Sequence, residues 1–343
     1  MKASDSRILS LDGIRAICIV LVLLGHLSGT RGIGEIDLGI GDYAHLGVNV
    51  FFLISGYLIT RLLAKEELST GAISLKLFYI RRTIRIFPAS YGYILFILIL
   101  QWAGVHTLAT ANYVHAATYT INYFAERSWE LGHLWSLSVE EQFYLVWPFC
   151  FYLAGARRAA YIAIAGALLG PAARVFGWYF LRDFPMSLLA PLPMMADSLA
   201  IGCFLALKED WLKTQRWYGF AMRPAVGVSM LALLLLMNRL MAYSIVNTVG
   251  LFCMNLMIGL LVHRCILYPE DALGRILNSR PLVAIGVLSY SLYVWQQFFL
   301  HKESTLWVTA FPQNLILSVL MAILSYRLLE KPMLQLRHRL RRS

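Results

Sequence analysis

An arginine and a histidine, Arg15 and His26, lie on one unbroken apolar stretch with ten residues between them. A guanidinium is a permanent cation suited to holding a phosphate or carboxylate. An imidazole is a proton acceptor near neutral pH. On a helix their eleven steps amount to roughly 16 Å of rise. The stretch is long and oily enough to cross a bilayer, and an ionisable side chain there raises the expectation of a function. Singly, each has a bland reading: His26 as a satisfied packing histidine, Arg15 as a cation snorkelling from a helix end. Together they pose an anion site near one membrane face and a general base near the other.

Three further groupings carry polar chemistry into apolar surroundings. Arg82 and Arg85 in RRTIRIFP are three apart, so a helix projects both from one face in a geometry suited to an anionic ligand; the adjacent Arg81 reads as a membrane anchor. In HLWSLSVEEQFYLVWP, His133 and Glu140 are seven apart and stack two turns from one another on a helix, with Ser138 between them. Glu141 points about 100° away from Glu140 on a 3.6-residue turn. Two adjacent carboxylates entering a span demand a partner or a task. The segment LGVNVFFLISGY opens another apolar run. Its glycines and Ser55 read as close helix packing, and Asn49 as a polar group lining a cavity.

The elements that position these groups are helices of a membrane protein. Of 343 residues, 59% are hydrophobic and 14% charged, about half the charged fraction of a soluble domain. Mean hydropathy is +0.64. Apolar runs fall near 9–29, 45–63, 87–104, 135–153, 159–180, 190–207, 219–238, 244–264, 281–300 and 312–329. They predict an all-α polytopic integral membrane protein of about ten transmembrane helices, with 1–343 a single membrane domain. The first run has no small-residue cleavage site, so it reads as a span and not a signal peptide. With the N-terminus inside, 23 of the 29 basic residues other than Arg15 fall on the inner side, which predicts cytoplasmic N- and C-termini. The net charge of +11 is therefore a topology signal and not a nucleic-acid footprint. Five scattered cysteines show no metal spacing and read as small packing residues. The aromatics of the 105–134 loop read as an interfacial belt.

In order along nearly the whole chain, LDGIRA…GH, GVNVFFLISGYLI, RRTIRIFP, HLWSLSVEEQFYLVWP, SYSLYVW and the closing Glu330-Lys331-Pro332 resemble the membrane-bound acyltransferase 3 family. The resemblance implies ten core helices and transfer of an acyl group from a coenzyme A thioester to a hydroxyl, often on a surface carbohydrate. It implies a catalytic His26 with Arg15 as its companion, and Arg82 and Arg85 as coenzyme A contacts. Many relatives place a histidine after SYSLYVW; Gln296-Gln297 stand here, which leaves a hydrogen-bonding role in place of proton transfer.

The expected activity is membrane-embedded O-acyl transfer, of acetyl or another short acyl group, from cytoplasmic acyl-CoA to an extracytoplasmic glycan hydroxyl. His26 serves as general base, Glu140 orients it or stabilises its imidazolium, and Arg15, Arg82 and Arg85 hold the phosphate end of the donor. His133, Ser138, Asn49 and Tyr290 are the candidate substrate contacts. No metal is expected. The expected partners are the lipid bilayer of a bacterial cytoplasmic (inner) membrane and a glycan or lipid-linked glycan acceptor, with a separate extracytoplasmic acyl carrier or transferase as a further candidate. The rival reading is a transporter or flippase that uses the Arg, Glu and His residues as a translocation path. A sensor or assembly subunit is a third.

Overall fold

Every apolar run in this sequence must satisfy its backbone internally if it is to enter lipid, and helices do so. The computed structural model describes residues 7–33, 40–180, 191–240 and 246–339, and among them it contains helices and turns but no strand. Of the basic residues used to orient the chain, Lys2, Arg182, Arg341 and Arg342 lie outside the described residues.

The long helices are α1 (Leu9–Leu27), α2 (Ile40–Thr70), α3 (Leu75–Trp102), α4 (134–154), α5 (156–180), α6 (Leu192–Lys213), α7 (Pro224–Leu240), α8 (Leu251–Leu267), α9 (Arg280–Phe299) and α10 (Gln313–Ser325). Each coincides with one of the apolar runs. Among the described residues, six helical stretches are long and apolar enough to cross a membrane: Leu9–Leu27, Tyr43–Thr70, Leu75–Trp102, Trp129–Phe180, Thr248–Leu267 and Arg280–Phe299. The fourth has 52 residues, roughly 78 Å of helix, far more than a ~30 Å hydrocarbon core. It breaks at Gly155, whose φ of +67° a glycine adopts without the Cβ clash other residues meet. That break separates α4 from α5.

Helix α1 packs between α2 and α9, α2 lies on α6, and α9 continues the wall into α10. Close contact between α2 and α6 requires glycine on both sides. A Cβ on Gly56 would stand 2.0 Å from the Leu199 carbonyl oxygen, and one on Gly202 would stand 2.1 Å from that of Leu53. The packing reading of the SGY glycine thus holds, and the approach fixes where the neighbouring Ser55 points.

Helix α3 starts about twelve residues before the apolar run that marked it. Ser74 caps it by accepting from the Leu77 N–H, so the arginine motif is already helical. Two basic residues assigned to loops and helix ends are instead buried. Arg174 pairs with Asp197 between α5 and α6 at 2.7 Å, and Arg264 pairs with Asp271 at 2.5 Å. Burying a guanidinium demands such a partner, and neither residue is available as a lipid-headgroup anchor.

Candidate active site

Two cavities open inside the bundle, and the residues singled out in the sequence divide between them. The larger, about 1230 Å³, carries Arg15 of α1, Ser55 of α2, Arg82 and Arg85 of α3, and Glu140 of α4. It exceeds the ~300–1,000 Å³ usual for small-ligand pockets, so it suits a long ligand. The smaller, about 310 Å³, carries His26 of α1, together with Arg127, Ser128, Trp129, His133 and Gln297. Val48 and Tyr293 line both. What divides the cavities is therefore a partition of side chains.

Tyr293 is the polar part of that partition. Its hydroxyl donates to the His133 carbonyl at 2.8 Å, and the Ser136 hydroxyl meets it at 2.6 Å. Ser136 lies between His133 and Glu140 in sequence, so the two turns that separate them straddle the partition. His133 faces the small pocket and Glu140 the large one.

Several charges of the large cavity have partners. Asp12 pairs with Arg7 at 2.5 Å and stands 3.9 Å from Arg15. Glu66 stands 3.8 Å from Arg81. Arg81 lines this cavity too, so it is more than a membrane anchor. The guanidinium of Arg82 lies over the Tyr144 ring, 5.0 Å from its centroid, which holds its plane by cation–π attraction. Glu140 accepts from the Ser55 hydroxyl at 2.7 Å and, more loosely, from that of Tyr144 at 3.4 Å. At the end of a one-turn π-helical segment, Glu330 accepts from Ser291 at 2.5 Å.

At the small pocket, His26 has a different partner from the one expected. Its Nδ1 is 2.8 Å from Oε1 of Gln296, a residue 270 positions away. The amide nitrogen of Gln296 donates to Gln297 Oε1 at 3.0 Å, and that of Gln297 donates to the Trp129 carbonyl at 2.9 Å. This chain of amides orients Gln296 with its oxygen toward the imidazole. His26 must then carry its proton on Nδ1, and the lone pair sits on Nε2. Trp129 closes the pocket edge-on to the His26 ring at 5.3 Å and donates its indole N–H to the Gln297 carbonyl. That assignment removes Trp129 from the interfacial belt in which the sequence reading placed the loop aromatics.

The structure thus corrects several expected contacts. Glu140 does not hydrogen-bond His26; Gln296 does. Ser138 lines neither cavity, because it is fully buried with its hydroxyl bonded back to the Leu134 carbonyl at 2.9 Å, one turn earlier. Asn49 also lines neither and is buried where its backbone carbonyl accepts from Ser198. Tyr290 does line the large cavity, but its hydroxyl donates to the Ile86 carbonyl at 2.6 Å and ties α9 to α3. His133 is on the small pocket as expected, and its Nε2 N–H donates to the Val294 carbonyl at 3.0 Å. Sequence reasoning missed Ser55 as a partner of Glu140, Tyr293 as the partition, and Trp129. The one available signal was that Tyr293 sits inside the SYSLYVW motif.

The helical membrane bundle thus holds a basic cavity on one side of a partition and a histidine pocket on the other. The family model described as "Acyltransferase domain" (acyltransferase 3) matches residues 8–329, and the chain belongs to that family. A Staphylococcus aureus (strain COL) protein named "Putative O-acetyltransferase" is 29% identical over 94% of this chain and 56% of its own length. O-acetyltransferase OatA of S. aureus (strain NCTC 8325 / PS 47) is 28% identical over the same shares. The chain thus spans little more than half the length of these relatives. No solved structure matches it.

Proposed function

We propose that this chain is an acyl-CoA-dependent O-acyltransferase that crosses the cytoplasmic membrane ten times with both termini inside. It moves an acetyl or other short acyl group to a hydroxyl of an extracytoplasmic glycan. The observation that carries the reading is the meeting of the two cavities at Val48 and Tyr293, with Arg15, Arg82 and Arg85 in one and His26 in the other. The positive-inside balance assigns the arginine cavity to the cytoplasm, where acyl-CoA is made. The family and the printed names of the relatives support acyl transfer.

In this reading the phosphates of coenzyme A lie among Arg82, Arg85 and Arg15, and the pantetheine arm runs toward the partition. Ser55 and Tyr144 hold Glu140, which balances the arginines. Rotation of Tyr293 admits the thioester to the pocket of His26. Nε2 of His26 takes the proton of the acceptor hydroxyl as its oxygen attacks the thioester carbonyl. Collapse of the tetrahedral intermediate expels the thiolate, which takes that proton back from the imidazolium. The products are an ester and free coenzyme A. Transfer is direct, without a metal or an acyl-enzyme.

The test is thiol release from acetyl-CoA by the purified full chain in lipid nanodiscs with a glycan acceptor. Wild type should release thiol and form an ester, and His26→Ala should do neither. Release by His26→Ala at the wild-type rate would overturn the role of His26. A carrier that merely moves solutes would release none in either form.

A further inference from the structure

The mechanism above leaves the tetrahedral oxyanion without a named donor. Among the described residues, three of those that line the small pocket each hold a buried polar side-chain atom without a hydrogen-bond partner: Arg127 Nη1, Ser128 Oγ and His133 Nδ1. A buried polar atom without a partner is destabilising. Three of them on residues that line one pocket, all within eight residues of sequence, is a concentration that structural economy does not explain. The residues are firmly held. The Ser128 amide donates to Asn112 Oδ1 at 2.7 Å, and the stem of Arg127 lies against Gly132, where a Cβ would meet its Cγ at 3.5 Å. Among the described residues Arg127 has no carboxylate partner, unlike the pairs Arg7–Asp12 and Arg81–Glu66 of the large cavity.

The pocket is small, about 310 Å³, and Arg127, Ser128 and His133 line it together with His26. The three orphans also differ in kind. Arg127 Nη1 is a cationic donor. His133 already uses Nε2–H on Val294, so its Nδ1 is an acceptor. Ser128 can act either way.

We propose that Arg127 is the oxyanion-stabilising group of the transfer, assisted by Ser128, while His133 Nδ1 accepts a second hydroxyl of the acceptor. As the acceptor oxygen bonds to the thioester carbon, the carbonyl π pair moves onto oxygen, and the Arg127 guanidinium donates to that oxygen. The pair returns when the thiolate leaves. Charge that exists only in the transition state gains most from a donor already fixed in place. Two imidazole lone pairs on one pocket, His26 Nε2 and His133 Nδ1, match two hydroxyls of one molecule. The acceptor class is thus a polyol such as a sugar, in preference to a lone alcohol or an amine.

This rests on the acyl-transfer reading, and the experiment separates the two. Acetyl-CoA is supplied to the full chain in nanodiscs with a methyl glycoside or with water as acceptor, and kcat and KM are measured by thiol release. Absence of turnover in wild type sinks the acyl-transfer reading itself. Given turnover, Arg127→Gln, which keeps the stem over Gly132, should lower kcat by about 10²-fold or more, with KM for acetyl-CoA nearly unchanged. The loss should appear with water as well as with the glycoside. Ser128→Ala should lose less. His133→Phe should raise KM for the glycoside and leave the water reaction alone. A wild-type kcat in Arg127→Gln, or a change confined to KM for the glycoside, overturns the proposal. Should that variant not fold, Arg127→Lys decides: the proposal requires a kcat loss of about tenfold at unchanged donor KM, and wild-type kcat refutes it.

Discussion

The two cavities differ in how they treat charge. In the large one, the acids have partners inside the protein: Asp12 with Arg7 and Glu66 with Arg81 as ion pairs, Glu140 with Ser55 and Glu330 with Ser291 as hydrogen bonds. In the small one, Arg127, Ser128 and His133 hold atoms that nothing among the described residues satisfies. A site that binds a permanently charged ligand can be organised beforehand by its own counter-charges. A site for a charge that exists only during reaction must keep its donors uncommitted. In the proposed transfer the contrast is that of a binding chamber and a reaction chamber, both lined by Tyr293.

The strongest way to break the contrast is to remove the base. His26→Ala should lower kcat by about 10²–10⁴-fold, the usual worth of a positioned proton acceptor, with KM for acyl-CoA little changed, as steady-state thiol release would reveal. Next come the arginines of the other chamber. Arg82→Ala and Arg85→Ala should each raise KM for acetyl-CoA by about tenfold to a hundredfold, equivalent to one charge-assisted hydrogen bond, with a smaller change in kcat. If kcat falls and donor KM stays constant, the large cavity is not the donor site. Gln296→Leu tests the tautomer argument. Losing one hydrogen bond of roughly 1 kcal/mol should lower kcat about fivefold, and Gln296→Glu, which keeps an acceptor toward Nδ1, should retain more activity. Equal losses in the two would refute the tautomer role. The smallest effect is expected at the partition. Tyr293→Phe removes two hydroxyl contacts and should change kcat by about two- to threefold, read most clearly in single-turnover acyl transfer.

The sequence made the helices legible because each apolar run is long and bounded by charge, and a run of that kind has few alternatives in lipid. Gly155 marked no composition change, yet it divides one 52-residue stretch exactly between two of the runs that the apolar pattern had separated. Within the site, spacing along one helix was informative: Arg82 and Arg85 line one cavity, and Arg15 and His26 of one helix line two different ones. Spacing could not say which face each helix turns inward. Ser138 and Asn49 looked as accessible as His133, but both are turned into packing. Contacts across the chain were beyond reach as well. Gln296 finds His26 from 270 residues away, and no local pattern announces it. Arg127 was counted as one of a few outer basic residues. Its proposed role rests on what surrounds it, which only packing reveals.

The central claim is that donor and acceptor enter by opposite ends of one path. It is tested most directly in sealed proteoliposomes, with acyl-labelled acetyl-CoA trapped inside and an impermeant glycan outside. The account predicts labelled ester on the outer glycan, free coenzyme A retained inside, and neither product with His26→Ala. Ester formed only when donor and glycan share one compartment would contradict it.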